Sequence, residues 1–147
     1  NTYGPRQSAR AIIPTIITQA IEQEKIKLGS LFPTRDYTFV KDTVNGFIST
    51  AESKSSIGEV INIGSNFEIS MGDLDQRISS LLNKDIEITQ DSSRVRPLKS
   101  EVKRLWCDNA KAKRLLGWEP QVSLDEGLKE TIEWISENKK MIKLVKC

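Results

Sequence analysis

Ten residues, Pro33 to Asp42, set a short apolar strand directly against the start of a helix. Tyr37 to Val40 is aromatic and β-branched, the composition of a strand. The strand ends in Lys41-Asp42, and Asp42 is able to cap a helix of about Thr43 to Ser53. Just ahead of the strand stand Arg35 and Asp36. A guanidinium fixed at such a rigid junction suits a phosphate, because its planar fork matches two oxygens at once.

The remaining elements follow the same alternation. Asn1 to Gln7 reads as a loop, since Gly4-Pro5 breaks regular structure. Ile12, Ile13, Ile16, Ile17, Ala20 and Ile21 repeat at helical spacing and predict a helix from about Ala11 to Glu24, with Pro14 tolerated in its first turn. Ile26-Lys27-Leu28 predicts a short strand. In the helix after Asp42, the expected buried face is Val44, Phe47, Ile48 and Ala51. Glu59 to Ile63 predicts a strand buried on both faces, as in a parallel sheet.

A second β-to-α unit runs from Glu68 through a Ser70-capped helix to about Leu82, with Asp73 placed as in a capping box. Ile86 to Thr89 alternates, as a strand with one wet face does. Gln90 to Val102 is charged and irregular. Asp108 caps a helix over Asn109 to Leu116, which Gly117 ends in the left-handed conformation. Ser123 and Glu126 form the capping box of the last helix, whose basic end (Lys139, Lys140, Lys143, Lys146) suits the helix dipole.

Composition removes several function classes. The chain of 147 residues has 22 basic and 20 acidic side chains, a balance that gives no basis for a nucleic-acid partner. It has no histidine, which excludes Ser-His and Cys-His nucleophile systems. The two cysteines, Cys107 and Cys147, suggest neither a disulfide framework nor a zinc site. No apolar run spans a bilayer, so no membrane role is expected. The first residue is Asn1 rather than Met, as expected for a piece of a longer chain.

Several stretches together resemble one family. Asn1-Thr2-Tyr3-Gly4-Pro5-Arg6, Arg35-Asp36-Tyr37-Thr38-Phe39-Val40-Lys41-Asp42, Glu59-Val60-Ile61-Asn62-Ile63-Gly64, Arg96-Pro97 and Asp108 to Pro120 stand in the order found in the extended short-chain dehydrogenase/reductases that act on nucleotide sugars. Arg96 to Leu105 most resembles a subgroup of NAD-dependent 4,6-dehydratases of nucleotide-linked N-acetylglucosamine. The resemblance implies an α/β fold: a substrate-binding lobe plus the last β-α-β returns of a Rossmann-like doubly wound parallel sheet. Residues 1–147 would be the C-terminal, nucleotide-sugar-binding part. The Gly-rich NAD-binding loop and the Tyr-x-x-x-Lys pair of the family are not in this sequence. No catalytic residue and no metal ligand is therefore expected here, and NAD would be held mainly by the other half. The helix after Asp42 and the strand at Val60 would return to the Rossmann sheet. The resemblance also implies a cytoplasmic, homodimeric parent enzyme. That enzyme would oxidise the sugar at C4, remove water across C5 and C6, and return the hydride.

The resemblance carries seven residues over as substrate contacts. Arg35 and Arg96 would bind the diphosphate, with Asn1 hydrogen-bonded to it. Ile26 and Leu28 would read the base through main-chain groups at a strand edge, Asn62 would lie near the substrate, and Glu101 would accept from ribose hydroxyls. Plainer readings stand beside these. Arg35 can form a surface ion pair with Asp36 or another carboxylate. Arg96 can be an ordinary arginine of a charged loop, and Asn1 a turn residue. Ile26 and Leu28 can be core aliphatics, Asn62 a buried tie between loops, and Glu101 a solvated glutamate. Trp106, Trp118 and Trp134 read as core, and Cys107 as a small buried side chain. For function, a 4,6-dehydratase portion leads. A 4-epimerase portion, a non-catalytic nucleotide-sugar-binding module and a structural remnant remain alternatives. Made alone, the chain would carry an uncovered apolar face and open sheet edges, and would associate.

Overall fold

The structure, a computed structural model, describes residues 1–23, 25–91 and 101–139. Its elements run β1 (Thr2–Tyr3), α1 (Ile12–Glu22), β2 (Lys25–Leu28), β3 (Thr34–Asp36), β4 (Thr38–Phe39) and α2 (Val40–Glu52), then a 3-10 turn at Lys54–Ser56. They continue β5 (Glu68–Ser70), α3 (Met71–Leu81), β6 (Glu87–Gln90), β7 (Arg104–Leu105), α4 (Ala110–Leu116) and α5 (Leu124–Glu137). The fold is α/β with largely parallel pairing. β1 pairs with β4 and β2 with β6, both parallel. β3 is the centre of a three-stranded sheet, antiparallel to β5 and parallel to β7.

Helical periodicity explains the core. Ile13, Ile16, Ile17 and Ala20 of α1 are fully buried and meet Ile26 and Leu28 of β2, Leu74 and Ile78 of α3, and Leu128 and Ile135 of α5. An aromatic cluster joins the N-terminal segment to β4. The Tyr3 ring meets Tyr37 edge-on at 6.3 Å and Phe39 at 5.5 Å, both favourable offset geometries. The Tyr3 hydroxyl donates to the Leu124 carbonyl at 3.1 Å and lies against Gly127 of α5, where a Cβ would collide with it.

The caps at Ser70, Ser123–Glu126 and Gly117 form as the sequence predicts, whereas α4 starts one residue later than expected. Ser70 Oγ accepts the Asp73 N–H at 3.0 Å, and Ser123 with Glu126 closes a reciprocal capping box on α5. Gly117 ends α4 at φ 63°, in the left-handed region. Asp108 Oδ1 accepts the Ala110 N–H at 2.9 Å, one residue ahead of the Asn109 N-cap.

Five expectations are corrected. Asn1 to Gln7 is not all loop, because Thr2–Tyr3 pairs with β4 as β1. Helix α2 begins at Val40, its N-cap is Phe39, and Asp42 lies inside the first turn. The Asp42 carboxylate does not cap, because Gln121 and Val122 donate their backbone N–H groups to it at 3.0 and 3.1 Å. The expected inner face of α2 is exposed, at 49% for Val44, 71% for Phe47 and 49% for Ile48. Among the described residues, α2 packs instead through Val40, Asp42 and Gly46, and a side chain at Gly46 would collide with Ile63. Residues 59–63 form no strand, and Val60 is 84% exposed. A strand needs a ladder partner for its amides, and none among the described residues stands beside this stretch. Of the tryptophans, Trp118 is buried and Trp134 partly buried against the core, but Trp106 is exposed, with the Arg104 guanidinium over its ring.

Lys139 follows the α5 C-cap, Asn138, and so lies outside the helix. Lys140, Lys143, Lys146 and Cys147 lie outside the described residues, as do Glu24 and Arg96. No helix among the described residues is long and apolar enough to cross a membrane.

Candidate substrate site

Successive side chains of a strand point to opposite faces, and this separates Arg35 from Asp36. Arg35 occupies the middle of β3, opposite Ile69 of β5 and Leu105 of β7. Its side chain lines a cavity of about 600 Å3. There Nη1 donates to the Thr34 carbonyl at 2.8 Å, and Nη2 meets Glu101 Oε1 at 3.3 Å. Asp36 faces the other way and is buried. It accepts the Ser65 N–H at 2.9 Å, the Ser65 hydroxyl at 2.7 Å and the Cys107 N–H at 3.4 Å. The adjacent pair therefore divides into a cavity cation and a buried tie between loops.

The strand under Arg35 is braced on both sides. Thr34 donates its hydroxyl to Glu68 at 2.6 Å, and its N–H to the Lys103 carbonyl at 2.9 Å. Arg104 Nε lies 2.9 Å from each Glu68 oxygen, so one carboxylate links β3, β5 and β7. This bracing fixes the guanidinium where a ligand anion can meet it.

Arg10 and Lys27 also line the cavity. Among the described residues, the lining holds three cations, Arg10, Lys27 and Arg35, against one carboxylate, Glu101. Lys27 was legible in the sequence. Ile26 and Leu28 are core residues on one face of β2, so period-two alternation sends Lys27 to the other. Arg10 had no such signal, because the irregular loop before α1 carries it there. Tyr37 lines the wall, and its hydroxyl donates to Met71 Sδ at 3.5 Å. Burial pushes its pKa up to about 12, so it stays a neutral donor near pH 7.

The other predicted contacts divide. Glu101 lies in the cavity beside Arg35 and is not a solvated loop residue. Asn1 lines the cavity too; its Nδ2 donates to the Asp36 carbonyl at 3.2 Å, and its own carbonyl accepts the Thr38 N–H at 2.9 Å. Leu28 reaches the wall, while Ile26 lies wholly in the core.

The main-chain edge of β2 is not open among the described residues, which opposes base reading through Ile26 and Leu28. The Ile26 carbonyl accepts the Thr89 hydroxyl at 3.0 Å, and the Leu28 carbonyl accepts the Asp91 N–H at 2.7 Å. On the opposite edge, Gln19 Oε1 accepts the Lys27 N–H at 3.0 Å, and Gln19 Nε2 donates to the Lys27 carbonyl at 3.4 Å. Asn62 is exposed and lines a different cavity, of about 440 Å3, with Thr38, Trp106 and Cys107. It is thus neither in the Arg35 cavity nor a buried tie. Arg96 lies outside the described residues.

No cluster of His, Cys, Asp and Glu among the described residues could hold a metal. Two strands run straight into helices, β4 into α2 and β5 into α3. Neither junction has a glycine-rich loop. The first turn of α2 carries Asp42, and the start of α3 is filled by Ser70 with Asp73. Neither junction therefore offers the glycine-rich helix start that holds a dinucleotide diphosphate.

Residues 1–131 match the family model of GDP-mannose 4,6 dehydratase. The chain is 33% identical over 146 residues to a UDP-glucuronate 4-epimerase of Thermodesulfobacterium geofontis, covering 98% of this chain and 43% of that protein. It is 34% identical over 142 residues to the human dTDP-D-glucose 4,6-dehydratase, covering 94% of this chain and 40% of that protein. Among solved structures, the UDP-glucuronic acid 4-epimerase of Bacillus cereus, in complex with UDP-glucuronic acid and NAD, superposes with a TM-score of 0.83 at 31% identity. That match covers 93% of this chain and 43% of the epimerase. The chain thus spans about two fifths of the length of these relatives. From the fold, the strand-borne arginine and these matches together, the chain belongs to the GDP-mannose 4,6 dehydratase family, within the extended short-chain dehydrogenase/reductases that act on nucleotide sugars.

Proposed function

We propose that residues 1–147 are the nucleotide-sugar-binding part of an NAD-dependent 4,6-dehydratase. In this reading Arg35 clamps the diphosphate, and the sugar is presented with C4 toward a nicotinamide held by a Rossmann part elsewhere in the complete protein. One observation carries it: a guanidinium on a braced central strand, aimed into a cavity of about 600 Å3 whose charged lining, among the described residues, sums to +2, three cations against Glu101. A diphosphate diester carries the complementary charge. The chain's task is then placement, which can supply several kcal/mol of an enzyme's rate acceleration, on the order of a few powers of ten.

The exposed face of α2 supports the division of labour. Val44, Phe47 and Ile48, with Val60 beyond them, are the residues the sequence assigns to a buried face. In the complete protein they would pack on the Rossmann part. A 4-epimerase is the second reading, favoured by the 4-epimerases among the relatives.

The test uses the complete protein. Calorimetric titration with UDP should show binding that Arg35→Gln weakens by about tenfold or more, as expected for a charge-assisted contact. Mass analysis of the product then separates the readings. A dehydratase gives a product lighter by one water, and an epimerase one of unchanged mass. UDP binding that ignores Arg35→Gln would reject the clamp.

A further inference from the structure

We propose that Glu101 is a built-in counter-anion for Arg35, occupying the guanidinium in the empty cavity and yielding it to the diphosphate. The inference rests on the reading of Arg35 as the diphosphate clamp and adds a regulation of that site. Ligand entry becomes an exchange of carboxylate for phosphate. The exchange makes the cavity selective for ligands of high charge.

The pair has an unusual combination of burial and looseness. Its side chains are only 15% and 17% exposed, yet it makes one contact, at 3.3 Å. The Lys25–Glu87, Lys41–Glu130 and Lys113–Glu119 pairs are exposed on both sides and lie at 2.6, 2.8 and 2.7 Å. A sheltered ion pair that serves stability alone needs close, multiple hydrogen bonds to offset desolvation. Even the more exposed Arg104–Glu68 pair makes forked contacts at 2.9 Å. Arg35 and Glu101 do not. Arg35 is held firmly by the Thr34 carbonyl at 2.8 Å and weakly on its Glu101 side, which is the side an incoming anion can take.

The fold puts the carboxylate there by design of the chain path. Lys103 bonds to Thr34 and Arg104 pairs with it in register, so Glu101 enters the cavity on the segment that leads into the flanking strand. Left without a partner, the sheltered guanidinium would be costly. Glu101 relieves that cost and, in doing so, sets a threshold. A singly charged anion offers Arg35 little more than the carboxylate already does. A diphosphate brings two charges to a lining that also holds Arg10 and Lys27.

The test measures pyrophosphate and UDP binding by calorimetry in the complete protein, for wild type, Glu101→Gln, Arg35→Gln and the double variant. Glu101→Gln is nearly isosteric, and thermal melting checks that each variant is folded. The expected result is pyrophosphate binding on the order of tenfold tighter in Glu101→Gln, the size of one removed like charge at close range. The gain should vanish in the Arg35→Gln background, and Glu101→Asp should stay near wild type. If Glu101→Gln binds pyrophosphate equally or more weakly while Arg35→Gln still weakens UDP, Glu101 only positions Arg35 and the exchange is overturned, with the clamp intact. If Arg35→Gln changes neither ligand, the clamp itself fails and the exchange with it.

Discussion

The buried carboxylate of Asp42, in the first turn of α2, accepts the backbone N–H of Gln121 at 3.0 Å across 79 residues of chain. Its second oxygen accepts from Val122 at 3.1 Å, and its own carbonyl accepts from Trp118 Nε1 at 3.2 Å. One residue thus fastens the turn between α4 and α5 to the start of α2.

Replacing Asp42 with Ala leaves two sheltered N–H groups without an acceptor. The expected loss is about 2–4 kcal/mol, and denaturant unfolding of the complete protein measures it. Asp42→Asn keeps one good acceptor and should lose less.

Gly127→Ala should also destabilise, against the usual trend for a helix. Alanine in place of glycine inside a helix ordinarily gains about 1 kcal/mol. Here the new methyl meets the Tyr3 hydroxyl and the Phe39 ring. Overpacking of that kind costs about 1–3 kcal/mol, so a lowered melting temperature is expected. Adding Tyr3→Phe, which removes the hydroxyl, should recover part of it.

Asp75 predicts a pH effect. It is buried on α3, its Oδ1 has no partner among the described residues, and burial pushes its pKa up to about 6. The folded state holds this proton more tightly than the unfolded chain, whose carboxyl titrates near 3.8. Its contribution is fully present below about pH 4 and is lost as pH rises through about 6. Asp75→Asn should therefore stabilise the protein by up to about 3 kcal/mol at pH 7–8, with the gain disappearing near pH 4. Chemical denaturation across that range checks the sign; a gain constant with pH would reject it.

Lys84 reaches across to α1, donating to the carbonyls of Ala20 at 2.8 Å and Ile21 at 3.1 Å. These belong to the last turn of the helix, where a cation also meets the favourable end of the dipole. Lys84→Met should cost about 1 kcal/mol, read as a shifted unfolding midpoint.

What the sequence made legible divides by range. The Ser70, Ser123–Glu126 and Gly117 signals are local, and they formed where expected. The start of α2 was misplaced by three residues, because the carboxylate that looked like a cap has partners near residue 121. The stretch at Val60 has strand composition, but composition supplies no neighbour for its amides. In the site, the arginine itself was legible. Its counter-ion was not, since Glu101 lies 66 positions away, whereas adjacent Asp36 is turned to the opposite face by the pleat of β3.

Gln19 closes β2 with a carboxamide, which presents an N–H and an oxygen on one plane as a peptide bond does. The seal belongs to a helix, so it holds only while α1 is seated. A fluctuation that lifts α1 would bare the hydrocarbon of the core and a strand ready to recruit another strand at the same moment. Resistance to polymerising edge to edge is therefore a property of the docked helix, and is inherited by β2 rather than written into it.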